Sequence, residues 1–514
     1  MSDKDTYFPQ EIFLGFAGPI GSNMEDVILG FKKYLKIYDF EPIVIHITDG
    51  LQDLYKKDYS KLSYNDRYDG LIELGNETRK DTDLKDIMAR LAFAAIDQKR
   101  SDLVIKPRLK RVAYLIRQIK RPEEIDVFRK AYGRSYYTIY IYSDVQTRLQ
   151  RVYKSIKKKE KGRIDEKVVK DLAQKLIDKD EFEEENDYGQ KLRDAFPLAD
   201  AFIDSTVSNS INNQVDRFCK LLFGTNFESP TRDEYGMYMA KSASLRSLDL
   251  SRQVGAAIFS LRGEVHTLGC NEVPSLEGGT YWSGDSADSR EYTKGYDTND
   301  DMKIRMLDDV LLCLKEQNAL TEEFKDTDGK TLLKRIQVSE FKFKYKNLIM
   351  MDTIEFGRII HAEMNAITDA ARNGVALKNS IMFCTTFPCH LCAKHIIASG
   401  IKRVVFIEPY PKSYALELYA DEIIVAKTTD KGEKRIKFEP FTGIAPYRYR
   451  ELFERRKRKD GDGNAQEWKT GKPEPIHASD RALYISYIEL EKAYRDEGFA
   501  AILIAVMKKK STAA

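Results

Sequence analysis

The chain has 514 residues, of which 42% are hydrophobic and 32% charged. That is a globular composition with room for two to four domains, and it excludes a wholly disordered chain. The 84 basic and 81 acidic residues nearly cancel, so nothing in the overall charge calls for nucleic acid, and a nucleotide partner needs a local site. The longest purely apolar run, Phe499–Met507, is about half a membrane span, so no membrane partner is expected. Six cysteines are too few for a disulfide scaffold. With a polar Met1–Gln10 free of signal-peptide character, they predict a reducing, cytoplasmic setting.

In chain order, Glu11–Ala17 reads as a buried strand, and the turn Gly15-Phe-Ala-Gly18-Pro-Ile-Gly21-Ser22-Asn23 overlaps its end. Val27, Ile28, Phe31, Tyr34 and Leu35 then recur at helical spacing, and Pro42–Ile47 reads as a second strand. Strand, loop, helix, strand opens a parallel α/β sheet. Ile87–Ile96 predicts a mostly buried helix, and Val112–Ile116 and Tyr137–Tyr142 predict further strands. Lys154–Glu185 is densely charged, with same-sign clusters at Lys157–Lys159 and Glu183–Glu185. It is expected to be a solvated helical arm, with a lid over a nucleotide as the sharper reading. Phe196–Ile203 closes the first domain, and the main boundary is placed near residue 226.

Thr231-Arg-Asp-Glu234 is a capping box that starts a helix reaching Ser247. Strands follow at Val254–Ser260 and Glu264–Gly269, joined by a turn at Arg262-Gly263. Trp282–Tyr296 is a loop-rich insertion. A helix begins near His361 and stops at Gly374, the strand Ser380–Thr386 leads to a helix ending at Gly400, and Arg403–Ile407 is another strand. Asp480–Met507 predicts a terminal helix. No internal repeat is evident.

The glycine-rich turn carries a departure from the phosphate-binding pattern G-x-x-x-x-G-K-[ST]. Ser22 stands where lysine belongs, and Asn23 where the magnesium-binding hydroxyl belongs. Gly15, Gly18, Gly21, Ser22 and Asn23 are the candidate residues for a nucleoside triphosphate, cradled by backbone N–H groups at a helix N-terminus. Without the lysine, nucleotide sensing or regulation is expected rather than phosphoryl transfer, with a purely structural or oligomerising domain as the alternative. Lys32 and Arg79 are candidate replacements for its charge. The basic run Arg455–Lys459 is expected to be a solvated face.

Two stretches carry the chemistry: His361-Ala362-Glu363 and Pro388-Cys389-His390-Leu391-Cys392. Together they resemble the H-x-E…P-C-x-x-C signature of zinc-dependent nucleobase deaminases. Zinc prefers imidazole and thiolate in a tetrahedron. Cys389 and Cys392, three apart at a helix start, present two sulfurs to one ion, and His361 supplies a third ligand. Glu363 is the candidate proton carrier. The rival reading is a structural zinc completed by His390 or His395. Cys219, Cys270, Cys313 and Cys384 are expected to be ordinary buried thiols.

Arg246-Ser-Leu-Asp249-Leu-Ser251-Arg-Gln-Val254-Gly255-Ala256, Gly269-Cys-Asn271-Glu-Val-Pro274 and Glu408-Pro409-Tyr410-Pro411 resemble segments of the deoxycytidylate deaminases. That resemblance implies substrate contacts at Asn271, which meets the sugar, and at Arg252 and Ala362. Over most of its length the chain resembles the bacterial anti-phage dCTP deaminases. The matching stretches include Gly15–Asn23, Ile119-Lys-Arg-Pro122-Glu-Glu with Phe128-Arg129 and Tyr132-Gly133, and Phe438-Glu-Pro440-Phe441 with Ala445-Pro446.

The implied fold is α/β. A P-loop NTPase or nucleotide-kinase-like parallel-sheet domain (1–226) precedes a three-layer α/β/α cytidine-deaminase-like domain (227–425, with an insertion at about 278–345). An extension (426–514) is expected to pack on the deaminase domain. The implied activity removes the amine of dCTP and dCMP with one catalytic zinc, giving dUTP or dUMP and ammonia and depleting dCTP during infection. A homo-oligomer and an inhibitory small RNA are the implied partners. The competing readings are a polynucleotide cytosine deaminase, a regulatory nucleotide-binding module with structural zinc, and a working kinase fused to the deaminase.

Overall fold

The computed structural model describes residues 10–512 except 57, 60, 105–110, 161–164, 183–186, 338–347, 411–412, 426–432, 456 and 478–480. Residues 1–9, the acidic cluster Glu183–Glu185, the end of the insertion, Pro411 and Arg456 therefore lie outside the described residues. The chain divides into two compact units. One is Met1–Glu234 with Thr442–Ala514, and the other is Tyr235–Phe441. No described helix is long and apolar enough to cross a membrane.

The first unit is built on five parallel strands: β1 (Gln10–Ala17), β2 (Glu41–His46), β3 (Arg111–Ile119), β4 (Tyr136–Tyr142) and β5 (Ala201–Asp204). They lie in the order β2-β3-β1-β4-β5. Every residue of β1 from Glu11 to Ala17 is buried, as a central strand covered on both faces requires. The chain runs from β1 out to β2 at the edge and back to β3 beside β1, then crosses to β4 and β5 on the other side. The carboxyl end of β1 is thus a topological switch point, where open α/β sheets bind ligands. Helix Met24–Ile37 follows, turning Val27, Ile28, Phe31 and Leu35 onto the sheet. Gly15 lies within β1, not in the turn. A Cβ there would collide with the Tyr136 hydroxyl and the Ile119 side chain, so packing requires a glycine at this position.

The charged arm is two helices, Val145–Lys159 and Glu166–Phe182. Its polar face is solvated as expected, but it also carries an apolar seam. Val152, Ile156, Val169, Ala173, Leu176 and Ile177 form their own small core with Ile20 of the glycine-rich turn.

The second unit holds a six-stranded sheet of β6 (Gly255–Phe259), β7 (Val265–Cys270), β8 (Ile381–Thr386), β9 (Arg403–Glu408), β10 (Ile423–Val425) and β11 (Ile436–Pro440). The order is β10-β11-β9-β8-β6-β7. β6 runs antiparallel to β7 and β8, and the remaining pairs are parallel. The insertion contains the helices Thr298–Glu316 and Gly329–Gln337.

The C-terminal extension corrects an expectation. From Thr442 onward it groups with the first unit. The short strand β12 (Gly443–Ile444) pairs antiparallel with β5. Arg448 donates to Asp200 and to the Tyr136 carbonyl. The terminal helix Arg481–Thr512 brings Glu491 and Tyr487 to a buried cluster. There the Arg100 guanidinium donates to both Glu11 and Glu491, and the Tyr487 hydroxyl donates to Glu11. Arg455 is not a free surface charge either. Its guanidinium donates to the carbonyls of Thr225, Leu452 and Glu454. The capping box forms as read: Glu234 N–H donates to Thr231 Oγ1 at 3.1 Å, and Thr231 N–H to Glu234 at 2.7 Å.

Candidate active site

The site is assembled at two helix starts. His361 is the N-cap of the helix Ala362–Arg372, and Cys389 is the N-cap of the helix His390–Ala398, which places Cys392 in its first turn. β8 delivers the second helix, ending three residues before Cys389. The first helix lies close against β7. A Cβ on Gly269 would sit 2.6 Å from Ala366 N and nearer still to Ala362 O, so only glycine lets the two backbones approach. Thr267 Oγ1 donates to Ala366 O, and Asn365 Nδ2 to Cys270 O, which sets the helix on the strand.

His361 Nδ1 lies 3.2 Å from Cys389 Sγ and 3.4 Å from Cys392 Sγ. Tetrahedral zinc with its usual bond lengths separates a nitrogen and a sulfur ligand by about 3.6 Å. The three donors, all within 4.8 Å of one another, therefore fit that ion with little adjustment. Among the described residues this is the single such cluster. The candidate fourth ligands are engaged elsewhere: His390 Nε2 meets Glu355 at 3.2 Å, and His395 Nδ1 meets the Leu391 carbonyl at 2.7 Å. Three protein ligands are the donor set of a catalytic zinc, which keeps a coordination position open.

The electrostatics favour a metal-binding thiolate. A hydrogen bond from Cys392, aided by His361 and opposed by burial, brings the Cys389 thiol down to about 4. Burial pushes Cys392 up. Burial also opposes the His361 imidazolium, but the Cys389 sulfur outweighs it and raises the His361 pKa. Glu363 is 4% exposed, and burial, with the Cys389 charge, raises its pKa above the usual carboxylate value. A carboxyl group so placed, beside the three donors, can both accept and return a proton.

A cavity of about 200 Å³ opens over these residues, lined also by Asp249, Ser251, Arg252, Asn271 and Tyr410. Asn271 is tied into the protein. Its amide donates to Asp249 and to the Arg252 carbonyl, both at 2.8 Å, and its Oδ1 accepts from Val254 N–H at 2.7 Å. With both amide hydrogens used, what it offers a ligand is the second lone pair of Oδ1. Arg252 is half-exposed, with its guanidinium 5.0 Å from the Tyr410 ring centre and 3.7 Å from Glu408. Ala362 lines the cavity and is fully buried. The structure thus gathers His361, Ala362, Glu363, Cys389, Cys392, Asn271 and Arg252 around one cavity or at its edge.

Sequence reasoning assigned no role to Asp249, Tyr410 or Glu408, although all three stand in the segments quoted for resemblance. Of the other cysteines, Cys219, Cys270 and Cys384 are buried as expected, whereas Cys313 is exposed.

Residues 230–408 match the cytidine and deoxycytidylate deaminase zinc-binding region. That stretch contains every residue named around the cavity except Tyr410. The deoxycytidylate deaminase of Enterobacteria phage T2 is 52% identical over 54 residues, covering 10% of this chain and 29% of the phage protein. ComE operon protein 2 of Bacillus subtilis (strain 168) is 38% identical over 77 residues, covering 15% of this chain and 41% of that protein. The crystal structure of dCMP deaminase from the cyanophage S-TIM5 in complex with dCMP and dUMP aligns at 18% identity and a TM-score of 0.23. It covers 42% of this chain and 99% of that one. The chain spans about three-tenths of the length of the phage relative that it matches.

The remaining candidates lie in the first unit. Gly18, Gly21, Ser22 and Asn23 line a second cavity, of about 450 Å³, at the carboxyl ends of β1 and β3. Gly15 is not among its lining residues. The side chains that replace the phosphate-binding pair are spent locally. Ser22 Oγ donates to the Pro19 carbonyl, and Asn23 Oδ1 accepts from Asp26 N–H to cap the following helix.

Proposed function

We propose that the deaminase-family domain removes the amine of a free deoxycytidine nucleotide, dCTP or dCMP, giving dUTP or dUMP and ammonia. The observation that carries this reading is the buried Glu363 beside a three-donor His361/Cys389/Cys392 cluster, at the floor of a cavity edged by Asn271 and Arg252. His361, Cys389 and Cys392 would hold zinc, which when bound acidifies water to a pKa of about 7.

The rest falls to the chain itself. Glu363 takes a proton from the attacking water. It delivers that proton to N3 of the cytosine ring and then carries the second proton, from the new C4 hydroxyl, to the departing amine, so that water and cytosine become uracil and ammonia. Asn271 Oδ1 accepts a hydrogen bond from a sugar hydroxyl. Arg252, at the rim, meets the phosphate and keeps Tyr410 beneath it. A dCTP-consuming enzyme lowers the dCTP available for phage DNA synthesis, which is the defence role that the resemblance implies.

The test offers dCTP, dCMP, CTP and a cytosine oligonucleotide separately to the full chain loaded with zinc, with products separated by chromatography. Conversion of the deoxynucleotides is expected. Glu363→Gln should lower it by about 10²-fold or more while the metal content stays at one per chain. Turnover confined to the oligonucleotide, or undiminished in Glu363→Gln, would overturn the reading.

A further inference from the structure

The second cavity lies in the first unit, at the switch point of its sheet. Its volume, about 450 Å³, falls in the range of small-ligand sites. The glycine-rich turn forms one wall. Gly21 has a φ of +81°, and a Cβ there would press on the Arg148 backbone. The turn is already holding an anion of the protein's own. Asp180, 4% exposed, accepts a hydrogen bond from the Ile20 backbone N–H at 2.6 Å and another from Lys120 Nζ at 2.8 Å. Lys120 Nζ also donates to the Gly18 carbonyl at 3.1 Å. The cation absent from position 22 is therefore supplied from the loop after β3. Neither Lys32 nor Arg79 fills that place.

A buried carboxylate bonded to a turn N–H and a lysine has the donor set that a phosphate takes in such a turn. Asp180 sits in the last turn of the helix Glu166–Phe182, whose apolar seam is closed on Ile20. A second observation points to a ligand. The Arg79 side chain, 5% exposed, lines the same cavity; its terminal nitrogens are held by Asn76, the Tyr188 carbonyl and Glu124, while its Nε has no acceptor. Five basic side chains and four carboxylates line the cavity with Asp180 in place, and withdrawing Asp180 leaves three carboxylates against five cations.

We infer that this cavity binds a phosphate-bearing compound of nucleotide size, and that the Asp180 carboxylate is an internal anion which such a ligand displaces. The closed arm and the bound phosphate are then mutually exclusive. Ligand affinity is reduced by the fraction of molecules in which Asp180 occupies the turn. The inference does not depend on the deaminase reading.

The experiment uses the full chain, with ATP and inorganic tripolyphosphate as probes in calorimetric titrations. Neither probe carries cytosine, so binding is distinct from deamination. Asp180→Asn keeps the shape and removes the charge, and it should bind at least one probe about tenfold more tightly than the parent. Lys120→Met should abolish that binding. ATP alone gaining affinity identifies a nucleotide site, and equal gains identify a polyphosphate site. In the parent chain, saturating probe should speed amide hydrogen exchange across 166–182, and this readout decides alone if Asp180→Asn does not fold. The inference fails if Asp180→Asn folds and binds neither probe more tightly. It fails equally if ligand leaves exchange across 166–182 unchanged or slows it.

Discussion

Gly269→Ala tests how closely the catalytic helix is set by a backbone contact. Ordinary contact begins at 3.4 Å, whereas the new Cβ would stand 2.6 Å from Ala366 N and closer to Ala362 O. Both atoms are backbone of the helix that starts at His361, so no side chain can rotate away. The helix must recede by about 1 Å, carrying Glu363 with it. A shift of that size at a reacting group costs about 10²-fold in rate, and the overpacking costs about 1–3 kcal/mol of stability. The assay is deamination of dCMP and dCTP, read as kcat beside zinc content and urea unfolding. We expect kcat to fall about 100-fold with KM changed far less. A Gly269→Ala protein that keeps the parent kcat would refute the claim that this glycine sets the position of Glu363.

Two further outcomes follow from buried charge in the first unit. Glu234 is fully buried, is bonded by both Arg217 terminal nitrogens and accepts the N–H groups of Thr231 and Ile444. Glu234→Ala should cost about 3–5 kcal/mol in urea unfolding, and a loss below 1 kcal/mol would show that the cluster contributes little. Glu491 shares Arg100 with Glu11. Burial, with the Glu11 charge, outweighs the Arg100 attraction and raises the Glu491 pKa above its ordinary 4.5. A raised acid binds its proton more tightly in the fold. Its contribution is complete below 4.5 and is lost as pH rises through the raised value. Glu491→Gln, fixed neutral, should flatten the decline of the thermal midpoint above pH 4.5, and an unchanged slope would exclude Glu491 as its source.

Much of the site was legible because its chemistry is local in sequence. His361 and Glu363 are two residues apart, and Cys389 and Cys392 three apart, so helix starts alone bring each pair to one end of its helix. The capping box at Thr231 and Glu234 was legible for the same reason, since both of its hydrogen bonds close within four residues. Zinc chemistry then limits what such residue types can do together.

What the sequence did not disclose depends on groups far apart in the chain. Gly15 reads as a phosphate-loop glycine, but the Tyr136 hydroxyl, 121 residues on, uses its space. Lys120 reaches the Gly18 carbonyl of the glycine-rich turn because β3 lies beside β1. Asp180 reads as one charge in a solvated arm until the fold buries it against Ile20. The extension reads as a neighbour of the deaminase domain because it follows it in sequence, yet β12 pairs with β5 and Glu491 reaches Arg100. Residue types and short spacings determined the reactive groups. Only the tertiary structure decided which charges neutralise one another, because buried charges pair by proximity in space, and the sheet order sets that proximity.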